Sequence, residues 1–132
     1  MKKYSVFNLT KQVLVASEIE KADSWWIRMK GLLGHSAQDL APGQGLWIEP
    51  CQGIHTIGMS FPIDVAYLDE TGRVIRLYFS LRPFRLAAFK FRARSVLELA
   101  PGTFSNSGTT VGDVIEIRPS NSADGAPEHM KT

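Results

Sequence analysis

The fold of this chain is decided by the stretch Ile63-Asp64-Val65-Ala66-Tyr67-Leu68-Asp69-Glu70-Thr71-Gly72-Arg73-Val74-Ile75-Arg76-Leu77-Tyr78-Phe79. Two runs rich in β-branched, aliphatic and aromatic residues flank the central Asp-Glu-Thr-Gly sequence. The acidic start and the final glycine of that sequence are typical of a tight turn. The stretch therefore predicts a β-hairpin with strands at residues 63–68 and 73–79.

Further short apolar runs predict strands at residues 4–8, 13–16, 45–48, 95–100 and 114–118. One helix is predicted near residues 24–33, because Ser24 is a good N-cap and Trp25, Met29 and Leu32 form an apolar stripe at helical spacing. Many short strands with one helix indicate a mainly β protein, α+β at the margin. We expect a small single-domain β-barrel or a curled antiparallel or mixed sheet.

Length and composition limit the class of protein. The chain has 132 residues and a formal net charge of +2, which fit one domain and say little about partners. We expect a globular domain at residues 1–118 and a disordered tail at 119–132, where large apolar residues are nearly absent. A single cysteine fits a reducing compartment. No run approaches the roughly 18 apolar residues of a transmembrane helix, so we expect a soluble, cytoplasmic protein.

The segment from Cys51 to Asp69 concentrates the reactive side chains. A thiol needs a neighbouring base or cation to act as a nucleophile at neutral pH. Cys51, His55 and Asp64 are therefore candidate catalytic residues of a thiol-dependent or hydrolytic enzyme. The competing interpretation is a packed cysteine, a histidine bonded to backbone and an aspartate in a turn or ion pair. The sequence leaves catalysis open.

The same segment has the side-chain types of a copper site. Thiolate, imidazole and thioether groups occur at Cys51, His55 and Met59. Glycines and a proline in the segment argue against a helix that would stack them on one face. In an extended chain they span about 26 Å, too far for one ion. We therefore predict no metal and no cofactor.

Residues 73 to 94 form a basic stretch, because they include seven basic residues and no acidic one. Arginines interleaved with aromatic rings suit single-stranded nucleic acid, an anionic membrane surface or an acidic partner. We favour a different interpretation, in which Phe89 and Phe91 face the core of a half-buried strand and the basic residues form a solvated rim. The basic residues are Arg73, Arg76, Arg82, Arg85, Lys90, Arg92 and Arg94.

A series of short pieces spans residues 25 to 117, and in this order they resemble the domain of unknown function 192 family, also called uncharacterised protein family 0127. Many members of that family look like they carry the sequence aromatic-Met-Lys-Asn at the position where this chain has Ile54-His55-Thr56, so the chain departs from the family pattern there. The resemblance implies a compact, mainly β fold and a prokaryotic protein, and it implies no established activity. The pieces are Arg28 with Gly31-Leu32-Leu33; Gly45-Leu46-Trp47-Ile48; Cys51 with Ile54 to Met59; Phe61-Pro62-Ile63-Asp64-Val65 with Leu68-Asp69 and Gly72; Val96-Leu97-Glu98-Leu99 with Gly102; and Gly112-Asp113.

Asp64 lies between two apolar residues of the clearest strand, so we expect it to be partly buried and to need a partner. Because the resemblance includes both Arg28 and Asp64, the partner is expected to be Arg28 or a run of backbone N–H groups. We expect a binding or accessory module with a pocket for a small molecule or a peptide. Its lining is predicted to be His55, Thr56, Met59, Pro62, Asp64 and Arg28.

Overall fold

The computed structural model describes residues 3–22, 41–53, 61–83, 85 and 87–120. Within these ranges the chain is mainly β, as the sequence predicts. It contains seven strands and one short helix, α1. The elements are β1 Lys3–Asn8, β2 Val13–Ala22, β3 Gln44–Ile48, β4 Ile63–Leu68, β5 Val74–Leu81, β6 Ser95–Leu99, α1 Thr103–Ser107 and β7 Ile115–Pro119.

The seven strands form one mixed sheet in the order β5-β4-β6-β3-β2-β1-β7. Neighbouring strands are antiparallel except for β2 and β3, which are parallel. Pairing among the described strands does not close the sheet. Of the two architectures that the sequence predicts, the curled mixed sheet is therefore the observed one.

The predicted hairpin is confirmed, since β4 pairs antiparallel with β5 across a turn at residues 69–72. Asp69 shapes this turn, because its Oδ1 accepts hydrogen bonds from the Thr71 backbone N–H at 2.9 Å and the Arg73 backbone N–H at 3.0 Å. The helix predicted near residues 24–33 lies outside the described residues. So does the segment from residue 121 to the end, and the predicted tail stays a prediction there.

The two faces of the sheet bury two separate apolar clusters. The inner cluster draws residues from all seven strands, so it occupies the concave side of the curl; Val6, Leu97 and Ile115 belong to it. The outer cluster draws strand residues from β3 to β6 alone, and it includes loop residues such as Phe61 and Ala93. Phe61 and Ala93 therefore pack on the convex side of that half of the sheet.

The sheet curls until its two edge strands approach each other at one end. Arg73 and Val114 form an isolated antiparallel bridge, and the Val74 N–H donates to the Asp113 carbonyl oxygen at 2.8 Å. The buried Asp113 carboxylate accepts hydrogen bonds from Lys11 Nζ at 2.7 Å and from Asn8 Nδ2 at 2.9 Å. Burial alone raises the pKa of Asp113, but these bonds and those from Thr110 hold its pKa well below the ordinary value.

Acid should reduce the stability that the Asp113 carboxylate gives to the contact between the two edge strands, and the variant Asp113→Asn tests this. Because the folded-state pKa of Asp113 is lowered, its stabilising contribution is present above the unfolded value of about 3.9 and is lost as the pH falls towards the folded value. We expect Asp113→Asn to lower the free energy of unfolding by about 2 kcal/mol at pH 7. Urea titrations from pH 7 to pH 2.5 should show this difference shrinking below about pH 4. A difference that grows in acid would contradict the assignment.

Helix α1 follows β6 and lies between the strands predicted at residues 95–100 and 114–118, where the sequence predicts no helix. Its N-cap, Gly102, adopts a left-handed conformation and provides no side-chain cap, while Asn106 and Ser107 are weak helix formers. These features explain why local sequence gives no helical signal there. Phe104 is fully buried in the inner cluster and attaches the helix to the sheet. Within the described residues, no helix is long and apolar enough to cross a membrane.

Candidate functional site

Asp64 is fully buried, more deeply than the partial burial that the sequence predicts. Its Oδ1 accepts a hydrogen bond from the Ser80 backbone N–H at 2.8 Å, and its Oδ2 accepts one from the Phe104 backbone N–H at 3.1 Å. Ser80 has a positive φ of 52° and lies in a β-bulge, where two residues of β5 face Asp64 of β4. The carboxyl group therefore joins β4, β5 and α1, and backbone N–H groups are the partners it has among the described residues.

Cys51 and Asp64 lie on opposite sides of the sheet. Cys51 is half-buried against the outer cluster, and its Sγ donates a hydrogen bond to the Gly53 carbonyl oxygen at 3.1 Å. Asp64 points the other way, since Ile63 and Val65 on either side of it belong to the outer cluster. The sheet therefore separates the proposed nucleophile from its proposed orienting carboxylate.

Of the other residues of the predicted pocket, the structure describes Pro62 alone. Pro62 is half-buried beside Phe61 of the outer cluster. Arg28, His55, Thr56 and Met59 lie outside the described residues, so their convergence with Asp64 stays a prediction. Among the residues that the structure describes, no three His, Cys, Asp or Glu side chains converge as metal ligands would.

The second half of the basic stretch forms a loop that is held firmly to the sheet. This loop, residues 87–94, is called the Phe91 loop below. The Lys90 N–H donates to the Gln52 carbonyl oxygen at 2.9 Å, and the Gln52 side chain donates to the Phe91 carbonyl oxygen at 2.8 Å. At its end, the Arg94 N–H donates to the Leu68 carbonyl oxygen at 2.8 Å. These bonds fix the loop backbone.

Two phenylalanine rings project from this fixed backbone into solvent. Phe89 is 68% exposed and Phe91 is 83% exposed, whereas Ala93 is buried in the outer cluster. The interpretation that the aromatic residues face the core of a strand is therefore wrong for these two. Alternation does occur, but the segment is a loop rather than a strand. Ala93 is buried in the outer cluster and Ala87 packs against it, so the small apolar residues of the loop reach the core and the two large ones do not.

Basic residues flank the two exposed rings in the sequence. Of the seven, Lys90 is half-buried and the others are exposed. Arg76 stacks over the Tyr78 ring at 4.7 Å, and the Tyr78 hydroxyl accepts a hydrogen bond from the Ala88 N–H of the Phe91 loop at 2.7 Å. Arg73 points elsewhere, because its guanidinium donates to the Gly112 carbonyl oxygen at 2.7 Å near the junction of the edge strands.

A surface groove of about 450 Å³ runs between the Phe91 loop and the hairpin turn. One wall is formed by Phe91, Arg92, Ala93 and Arg94, and the other by Asp69, Glu70 and Thr71. Sequence reasoning assigned the acidic residues to a turn and nothing more. The pairing of residues 68 and 94 brings the two walls together, and no local pattern in the sequence signals that contact.

Glu98 is a third buried acid, after Asp113 and Asp64, and the sequence analysis does not predict its burial. It is fully buried, opposite Leu46 on β3 and Val65 on β4. The alternation of side chains along β6 indicates this burial, because Glu98 lies on the same face of the strand as Val96, which belongs to the outer cluster.

Comparison with known proteins identifies the family. The chain matches DUF192, described as Uncharacterized ACR, COG1430, over residues 6–117. It therefore belongs to this family, as the sequence resemblance predicts. No curated protein matches the chain.

Two solved structures share the fold. One is a candidate transcription regulator from Sinorhizobium meliloti 1021, 20% identical, with a TM-score of 0.69 over 87% of this chain and 92% of that one. The other is a protein of unknown function from Novosphingobium aromaticivorans DSM 12444, 20% identical, with a TM-score of 0.68 over 86% of this chain and 82% of that one. At this identity the likeness concerns the fold alone.

Proposed function

We propose that this domain is a binding module that holds single-stranded nucleic acid on the Phe91 loop. The observation that carries the proposal is the exposure of Phe89 and Phe91, at 68% and 83%, between basic side chains on a hydrogen-bonded loop. Such rings normally lie in the core, and an exposed aromatic cluster is a mark of an interaction surface.

The chemistry of the loop suits a single strand better than a duplex. Unpaired bases can stack on aromatic rings, while the adjoining phosphates meet Lys90, Arg92 and Arg94. A preformed loop also loses little conformational entropy on binding. Arg94 stays available, because its ion pair with Glu49 is long, at 3.6 Å, and its side chain is 61% exposed.

One further observation is consistent with this proposal. One of the similar structures is described as a candidate transcription regulator. A cytoplasmic location, which the single cysteine favours, would give the protein access to nucleic acid. The location is part of the proposal.

Replacement of Phe91 by alanine should weaken binding of a fluorescently labelled 12-nucleotide uridine strand by about 5- to 150-fold, since stacking contributes about 1–3 kcal/mol per base. Fluorescence anisotropy at 50 mM salt would measure the dissociation constants. Val111→Ala is the matched control, because Val111 is also apolar and 59% exposed but lies outside the Phe91 loop. Wild-type binding should fall steeply with salt, with a logarithmic slope of about −2 to −3 for three or four phosphate contacts.

Two outcomes would contradict the proposal. The first is a wild-type protein that does not bind the strand at 50 mM salt, and the second is a Phe91→Ala variant that binds as wild type does. Binding to phosphatidylserine vesicles without binding to the strand would assign the same rings and charges to an anionic membrane surface instead.

The pocket predicted around His55 and Asp64 remains a separate hypothesis for a small-molecule or peptide ligand. The burial of Asp64 and its two backbone hydrogen bonds favour a structural role for this member of the set. An enzyme built on Cys51, His55 and Asp64 is disfavoured, because the first and last lie on opposite sides of the sheet.

A further inference from the structure

The groove beside the Phe91 loop has two walls of opposite charge. Arg92 and Arg94 lie on one wall next to the exposed Phe91 ring, and Asp69 and Glu70 lie on the other. Its volume of about 450 Å³ falls within the range of small-molecule sites, about 300 to 1,000 Å³. A phosphate backbone alone would not need an acidic wall, since carboxylates repel phosphates.

The two acids differ in what they can offer a ligand. The Asp69 Oδ1 is already occupied by three hydrogen bonds, from the Thr71 N–H, the Thr71 hydroxyl and the Arg73 N–H. Burial tends to raise the pKa of Asp69, yet these bonds and the charge of Arg73 lower it overall. Glu70 is exposed, and its carboxylate makes no hydrogen bond or ion pair with the described residues. Glu70 is therefore the acceptor that a ligand can reach.

We infer that the groove binds a guanine base, with Phe91 stacking on the ring and Glu70 accepting its N1–H and N2–H groups. This inference rests on the proposed function and names the base that the site prefers. A carboxylate accepts hydrogen bonds through two oxygens and donates none. Guanine alone among the common bases presents two adjacent donors on its Watson–Crick edge, whereas uracil places carbonyl oxygens on both sides of its single donor.

The opposite wall complements the rest of the nucleotide. Arginine pairs with phosphate oxygens, and it also pairs with O6 and N7 of guanine. Arg92 and Arg94 would therefore meet the adjoining phosphate or the second edge of the base. Both a guanine within a strand and a free guanine nucleotide present this chemistry, and the experiment below separates them.

The test compares the wild-type protein on labelled 12-nucleotide strands that are all uridine or carry one central guanosine, inosine or adenosine. We expect guanosine to lower the dissociation constant about 5- to 150-fold relative to uridine, as a bidentate base contact does elsewhere. Inosine lacks the exocyclic amino group and should lose most of this gain, and adenosine should lose it fully. Glu70→Gln should reduce the ratio between the guanosine and uridine strands, whereas Glu18→Gln, an exposed acid on β2, should preserve it.

The outcomes separate the inference from the proposed function. Equal affinity for the guanosine and uridine strands would overturn the guanine site and leave strand binding intact. An unchanged ratio in Glu70→Gln would also overturn it. Binding of guanosine monophosphate, measured by calorimetry, without binding of any strand would support the guanine site and overturn the proposed function. Absence of all binding would overturn both.

Discussion

Replacement of Gly45 by alanine is expected to destabilise the domain by about 3 kcal/mol or more, which is at the upper end of overpacking effects. A Cβ at this position would lie 2.2 Å from the Glu98 carbonyl oxygen and 2.6 Å from Leu99 Cδ2. Backbone cannot move aside as the end of a long side chain can, so β3 and β6 would have to separate. Gly45 pairs with Leu99 in the middle of the sheet, and the separation would disturb both apolar clusters.

The matched control for this prediction is Gly53→Ala. Among the described residues beyond its chain neighbours, the atom nearest to the added Cβ would be Phe89 Cα at 3.6 Å, which is an ordinary van der Waals contact. We expect a change within about 0.5 kcal/mol. Urea denaturation followed by circular dichroism would measure both variants. A Gly45→Ala protein as stable as Gly53→Ala would show that the two strands do not approach this closely.

Local sequence pattern predicts the strands well but says little about how the sheet bends. Runs such as Ile63 to Leu68 contain their own β-forming residues, and the Asp-Glu-Thr-Gly sequence contains its own turn, so both are visible without tertiary knowledge. The need for glycine at position 45 is different, because it arises from a carbonyl group more than 50 residues later in the chain. Contacts of this kind leave no local signal.

The candidate site shows the same division. The sequence reveals seven basic residues interleaved with aromatic rings, but alternation alone could not decide whether Phe89 and Phe91 point inwards. In the Phe91 loop, which is hydrogen-bonded to Gln52 and Leu68, exposed and less exposed side chains alternate much as they do along a strand. Glu70 lies beside the Phe91 loop because the Arg94 N–H donates a hydrogen bond to the Leu68 carbonyl oxygen. That contact depends on how the whole sheet is arranged, so the local sequence does not predict it.

Asp64 links the core of the sheet to the surface that carries the proposed site. Its carboxyl group holds the bulge at Ser80, directly before the chain leaves β5 for Arg82 and the Phe91 loop. The bulge turns the backbone of Ser80 to a φ of 52°, an uncommon conformation for a non-glycine residue. A residue that shapes the exit of β5 therefore also helps to determine where the loop begins.

Replacement of Asp64 by alanine should lower the free energy of unfolding by about 2–4 kcal/mol, because it adds a cavity and removes the acceptor of the buried Phe104 N–H and of the half-buried Ser80 N–H. Asp64→Asn should cost less, since its amide oxygen can still accept one of the two bonds. Glu70→Gln, which removes an exposed carboxylate, should leave the unfolding free energy within about 0.5 kcal/mol of wild type.

Hydrogen exchange adds a local readout, because the Ser80 and Phe104 amide protons should exchange faster in Asp64→Ala than the amide protons in the centres of β1 and β2. If Asp64 instead served mainly a ligand pocket, Asp64→Asn would be as stable as wild type and both amide protons would keep their protection. The two variants together therefore separate a carboxyl group that organises the fold from one that the fold presents to a ligand.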